Sequence, residues 1–185
     1  MTTTTRDRIL DALETLLLDK GMSQVTLENV AAAAGVSKGG LLYHFKSKDA
    51  LLAGLVRRLT ERARTQLADS VAAGGSVAEW YLQIPNTEST DEALELELYR
   101  SLLATMRTVD ATAGPETDVV QQALAEMMNS WSDGLDAEID DPVRADLVRL
   151  VGDGIYLRAL LGLPPIDPER YRRVVEHLLR CPATG

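Results

Sequence analysis

Residues 26–52 read TLENVAAAAGVSKGGLLYHFKSKDALL, and this stretch decides the fold. It divides into a helix, a tight turn at a glycine, a second short helix and the start of a third. Thr26 is an N-cap residue type whose hydroxyl can accept from an orphan amide, and Glu28 in the first turn suits the positive end of the helix dipole. Leu27, Val30, Ala31 and Ala34 recur on one face. Gly35 stands where this helix must stop, in the left-handed conformation that glycine adopts without cost. Ser37 is placed to cap the next helix, 38–45. Two helices joined in this way make a helix-turn-helix, whose second helix enters the DNA major groove.

The tail of the motif narrows the reading. GVSKGG (35–40), YHF (43–45) and KSKDAL (46–51) together resemble the DNA-binding domain of TetR-family transcriptional repressors. The similarity reaches back to Arg8-Ile9-Leu10, which opens an amphipathic stretch ending at Lys20-Gly21. The resemblance implies an all-α fold, with an N-terminal three-helix helix-turn-helix domain over 1–50 and a C-terminal helical bundle over 51–185 for effector binding and dimerisation. It also implies a ligand-responsive regulator, by default a repressor and not an enzyme. Its partners are then a palindromic operator in double-stranded DNA, a second copy of the chain, and a small-molecule effector of unknown identity.

In the second helix of the motif, Leu41 and Phe45 lie four apart and should face the domain core. Lys38 and Leu42 share an outer face, and Gly39 and Tyr43 share its neighbour. Lys38, at the helix start, can donate to guanine O6 and N7; a solvated charge is the plainer alternative. Gly39 and Gly40 each weaken a helix by ~0.8–1.0 kcal/mol relative to alanine. Close approach to DNA explains them, as does a loose helix that orders on binding. By resemblance, Tyr43 and His44 contact phosphates. Lys48 opens a helix capped by Ser47, where the N-terminal dipole favours an anion, and Thr26 opens another. Many TetR-like proteins have tyrosine where this chain has Leu42, which can meet a thymine methyl but cannot bond a phosphate. The candidate DNA-binding set is therefore Thr26, Ser37, Lys38, Gly39, Gly40, Leu42, Tyr43, His44 and Lys48.

A net charge of −9 over 185 residues looks wrong for a DNA binder until its distribution is considered. Residues 1–60 hold eight cations against six carboxylates, a net of +2, so the remainder carries −11. Phosphate binding needs a local basic face rather than a basic protein. The hydrophobic fraction of 45% is that of an ordinary globular chain. No apolar run reaches the ~18 residues of a membrane span, and no secretory signal opens the chain. The single cysteine, Cys181, cannot form an internal disulfide, which fits a reducing cytoplasm.

Turn signals cut the rest into helices. One runs over 6–20, and a connector over 48–73 ends at Gly74-Gly75. Others are expected near 76–84, 91–109, 116–138, 142–163 and 168–180, with Asp141-Pro142 and Asp167-Pro168 each placing an acidic cap before a proline. Over 143–163 the chain is apolar on nearly every face, so this helix is expected to be buried all round, with Gly152 and Gly154 admitting another helix closely. In TetR-like proteins the last two helices of each subunit form the dimer interface. Leu147, Val151, Ile155, Tyr171, Val174, Val175 and Leu178 are the candidates for it, a monomer core being the alternative. Candidate effector-lining residues are Trp80, Tyr81, Tyr99, Leu103, Met106, Met127, Met128, Trp131 and Tyr156, adaptable Met and aromatic side chains that equally make plain core.

Other classes find little support. His44 and His177 lie far apart in sequence, and no glycine-rich phosphate loop, metal-ligand spacing or nucleophile with a nearby base is present. No cofactor is expected. An architectural DNA binder would need a basic surface beyond the motif, where this chain is acidic.

Overall fold

The computed structural model describes residues 4–85, 90–106 and 118–180, and the side chains of all of these except 90, 91, 102–106 and 118. Among the described residues the regular structure is entirely helical: α1 (Thr5–Lys20), α2 (Leu27–Ala33), α3 (Lys38–His44), α4 (Lys48–Ala72), α5 (Val77–Tyr81), α6 (Thr90–Met106), α7 (Asp118–Glu138), α8 (Pro142–Leu160) and α9 (Pro168–Arg180), with a single 3-10 turn at Met22–Gln24. Cys181 lies outside the described residues.

The caps explain most boundaries. Thr26 accepts from the Asn29 amide at 3.1 Å, Ser37 from Gly40 at 3.0 Å and Ser47 from Ala50 at 3.1 Å. Asp141 accepts from Val143 at 3.0 Å and Asp167 from Arg170 at 2.8 Å. Each satisfies an amide that the helix leaves without a partner. Two further caps, Thr4 and Ser76, form reciprocal boxes with Asp7 and Glu79. Helix α5 is shorter than its predicted 76–84, and α8 stops at Leu160 rather than 163.

The chain divides into two compact units, the first of residues 1–61 and 94–127, the second of 62–93 and 128–185, with α4, α6 and α7 supplying residues to both. In the first unit, Ile9, Leu10, Leu13 and Leu17 of α1 are buried, as are Val30 of α2, Leu41 of α3 and Leu51, Leu52, Leu55 and Leu59 of α4. Gly35 ends α2 at φ 65, and the Val36 amide returns to the Ala31 carbonyl at 3.0 Å. These helices form one small core that fixes the angle of α3.

In the second unit a core of Ala78, Leu82, Leu135, Ile139, Ala145 and Val148 gathers α5, α7 and α8, with Val175, Leu178 and Leu179 of α9 packed against it. Five residues make a marginal helix alone, and α5 is held by its neighbours. The Glu138 carboxylate of α7 accepts from the Val77 and Ala78 amides at 2.6 and 3.1 Å. Gly152 of α8 lets α5 come close: a Cβ there would lie 2.2 Å from Tyr81 Cδ1 and 2.8 Å from the Tyr81 carbonyl oxygen. At Gly154 a Cβ would meet nothing within 4 Å, so the close approach expected at both glycines occurs within the chain only at Gly152. Arg144 donates from Nε to the Leu178 carbonyl at 2.8 Å and also to that of Leu179, serving the C-terminal end of α9, where a cation is favoured.

Helix α8 is not buried all round. Ala145, Val148, Gly152 and Ile155 face the chain's own core, whereas Val143, Leu147, Leu150 and Leu157 are exposed. Among the described residues, its packing partners α5, α7 and α9 leave this side open. The unused apolar side carries Leu150 at 69% exposure.

Candidate nucleic-acid interface

Helix α3 turns Leu41 inward and leaves Lys38, Gly39 and Tyr43 outside. Phe45, just beyond it, is buried and carries the Arg6 guanidinium 5.2 Å above its ring. Tyr43 is 79% exposed, unusual for so large an aromatic ring, and meets the edge of the half-buried His44 ring at 5.2 Å. Leu42 is half-buried rather than openly exposed. At Gly39 the nearest atom to an added Cβ is Ser37 Oγ at 4.0 Å, so the chain's own packing gives no reason for a glycine there. Thr26 and Ser37 are exposed at the starts of α2 and α3, and Lys48 is half-buried at the start of α4.

The cations sort into two groups. Arg8 of α1 donates to the Ala34 carbonyl at 2.7 Å, bracing the turn between α2 and α3. Arg58 of α4 is nearly enclosed, pairing with Glu14 and, at 2.6 Å, with Asp11, both on α1. These arginines are structural, and sequence patterning does not separate them from surface charges. Lys38 is held by Glu28 at 2.6 Å, and the hydrogen bond from Lys38 holds the Glu28 carboxyl below its ordinary range. Lys46 and Lys48 have no carboxylate within ion-pair distance among the described residues.

The candidate effector residues fall in both units. In the first, the Tyr99 hydroxyl donates to Met127 Sδ at 3.4 Å, and the side chains of Leu103 and Met106 lie outside the described residues. In the second, the Trp80 and Trp131 rings stand 5.0 Å apart, tilted by 37°. Tyr81 donates to Asp153 and packs on Gly152; burial first, then that carboxylate, pushes its phenol well above the usual range. Met128 is exposed and Tyr156 half-buried. No group of three or more His, Cys, Asp or Glu among the described residues could hold a metal ion.

The candidate dimer residues do not share one face. Leu147 and Val174 are exposed. Val151, Val175 and Leu178 are packed in part against the core of the second unit. Ile155 is buried, and Tyr171, 5% exposed, donates its hydroxyl to the Leu82 carbonyl at 2.7 Å. Those two are spent inside their own chain. Residues four apart drift by about 40° around a helix, so the series Leu147, Val151, Ile155 passes from the outer face of α8 to the inner. The outer face runs instead through Val143, Leu147, Leu150 and Leu157.

Residues 9–55 match the family model described as bacterial regulatory proteins, tetR family, and residues 75–181 match tetracyclin repressor-like, C-terminal domain. The HTH-type transcriptional regulator PksA of Bacillus subtilis (strain 168) is 25% identical over 177 residues, covering 92% of this chain and 85% of its own. AlkX, an HTH-type transcriptional regulator of Mycobacterium tuberculosis, is 29% identical over 188 residues, covering 86% and 89%. The solved structure of the multidrug binding protein EbrR complexed with ethidium has a TM-score of 0.68 at 27% identity, covering 96% of this chain and 99% of that one.

Proposed function

We propose, given that this chain belongs to the TetR family of transcriptional regulators, that it is a repressor which binds a palindromic operator as a homodimer and leaves it when a small, largely apolar effector binds. Residues 1–50 are the DNA-binding domain, reading the operator through Thr26, Ser37, Lys38, Gly39, Gly40, Leu42, Tyr43, His44 and Lys48. Residues 51–185 bind the effector and dimerise. The observation that carries this reading is the outer face of α3. A lysine, a glycine without an internal reason and an almost wholly exposed tyrosine stand together on a helix whose angle is fixed by its buried face.

Two findings support the remaining parts. The outer face of α8 is apolar and left open by the described residues, and a second copy related by two-fold symmetry would cover it while setting two recognition helices on two half-sites. The likeness to EbrR, a multidrug binding protein seen with ethidium, favours flat lipophilic compounds as effectors. The reading is tested by selecting duplexes from a genomic fragment pool. A two-fold symmetric sequence should be enriched, and Lys38→Ala should lower the preference for it. A pool in which no sequence is enriched would end the regulator reading.

A further inference from the structure

In the helix-turn-helix, Glu28 of α2 and Lys38 of α3 form an ion pair at 2.6 Å, and both side chains are more than half exposed. A pair so open to water adds little to the fold. The two helices are already held by buried Val30 and Leu41 and by the Arg8 bond to Ala34. The consequence of the pair lies in the cation it occupies. Lys38 is the only lysine or arginine of α3, and it sits at the end that reaches base edges. Its ammonium is committed to a carboxylate before DNA arrives, and that carboxylate stands on the surface that would face phosphates.

We infer that Glu28 is a specificity-determining residue: it withholds Lys38 from phosphates, so that the ammonium changes partner only where a base edge offers better acceptors. This rests on the DNA-binding reading given above. On a duplex without the right base, Lys38 stays with Glu28 and releases no counterion, and the carboxylate weakens the approach of the backbone. On the operator, guanine O6 and N7 replace the carboxylate with two acceptors. Glu28 therefore lowers affinity for random DNA more than affinity for the operator.

The test titrates a random-sequence duplex and the duplex enriched from genomic fragments over a range of potassium chloride concentrations. Glu28→Ala should bind the random duplex severalfold more tightly and steepen its plot of log affinity against log salt by about 0.9 per subunit, about 1.8 for a dimer with both Lys38 side chains on phosphates. The slope on the enriched duplex should not change, and the preference for it should fall. The helix preference of alanine offsets the lost first-turn charge, so the thermal melt should shift by no more than a few degrees. Glu28→Gln, which removes the charge but keeps an acceptor, should fall between. In a Lys38→Ala background, Glu28→Ala should no longer steepen the random-duplex slope. An unaltered slope for Glu28→Ala, or weaker binding to the random duplex, overturns the role given to Glu28 and leaves DNA binding intact. A parent protein that enriches no duplex removes the DNA-binding reading, and this inference with it.

Discussion

At the scale of single residues, charge and burial separate side chains that the sequence alone treats alike. Lys48 stands at the start of α4 with no carboxylate within ion-pair distance among the described residues. Lys48→Ala should weaken binding to every duplex alike and flatten the salt slope by about 0.9 per subunit, about 1.8 for the dimer; a loss confined to one sequence would assign Lys48 to base reading instead. Tyr171 is enclosed and donates to the Leu82 carbonyl. Tyr171→Phe leaves that carbonyl without its donor and should lower stability by about 1–2 kcal/mol in urea melts. Burial raises the Tyr171 phenol from 10.0 to about 12. The folded state then keeps a proton that the unfolded state gives up near pH 10, so this contribution is intact below pH 10 and is lost as pH rises towards 12. Tyr171→Phe should make alkaline unfolding over that window shallower than in the parent. The caps were legible in the sequence because a cap is a local event: Thr26, Ser37, Ser47, Asp141 and Asp167 act within three residues of themselves. The pairs Arg58 with Glu14 and Lys38 with Glu28 were not legible, because they join helices whose mutual angle the sequence does not state.

At the scale of helices, periodicity marks an apolar face clearly when the opposite face is polar, as in α1, where Ile9, Leu10, Leu13, Leu16 and Leu17 are all buried. It fails for α8. A helix apolar on both sides has no phase to read, and only the chain's own packing shows that Val148 and Ile155 point inward while Leu150 and Leu157 point out. The two sides make opposite predictions. Leu150→Glu puts a charge on the uncovered side, so the folded chain should persist while the dimer falls apart. Light scattering at micromolar concentration should then report a monomer, and operator affinity should drop because one half-site supplies half of the contacts. A Leu150→Glu protein that remains a dimer would place the seam on another helix. Gly152→Ala acts on the inner side, where its Cβ would meet both the ring and the carbonyl of Tyr81. Helix α5 must move, and thermal or urea melts should show a loss of about 1–3 kcal/mol.

At the scale of the whole chain, the proposed function requires that effector and operator compete through the protein. Helix α4 runs from Lys48 to Ala72 and, like α6 and α7, supplies residues to both compact units. Operator binding by a symmetric dimer requires the two recognition helices to lie about one DNA turn apart, roughly 34–36 Å. An effector that favours any other spacing must weaken DNA binding, and by linkage the operator must weaken effector binding by the same factor. Such couplings typically amount to about 1–3 kcal/mol, roughly 5- to 150-fold. The Trp80–Trp131 pair offers the readout, since both of the chain's tryptophans lie in it and a compound binding beside either ring should alter their emission. A lipophilic aromatic compound that shifts this emission should also release a labelled operator in an anisotropy titration. Saturating operator should raise the compound's dissociation constant by the matching factor. Trp131→Phe keeps an aromatic ring while isolating the signal of Trp80, so the titration can be repeated with a single reporter. A compound that binds at micromolar concentration, shifts the emission and leaves operator affinity unchanged would disconnect that site from DNA release.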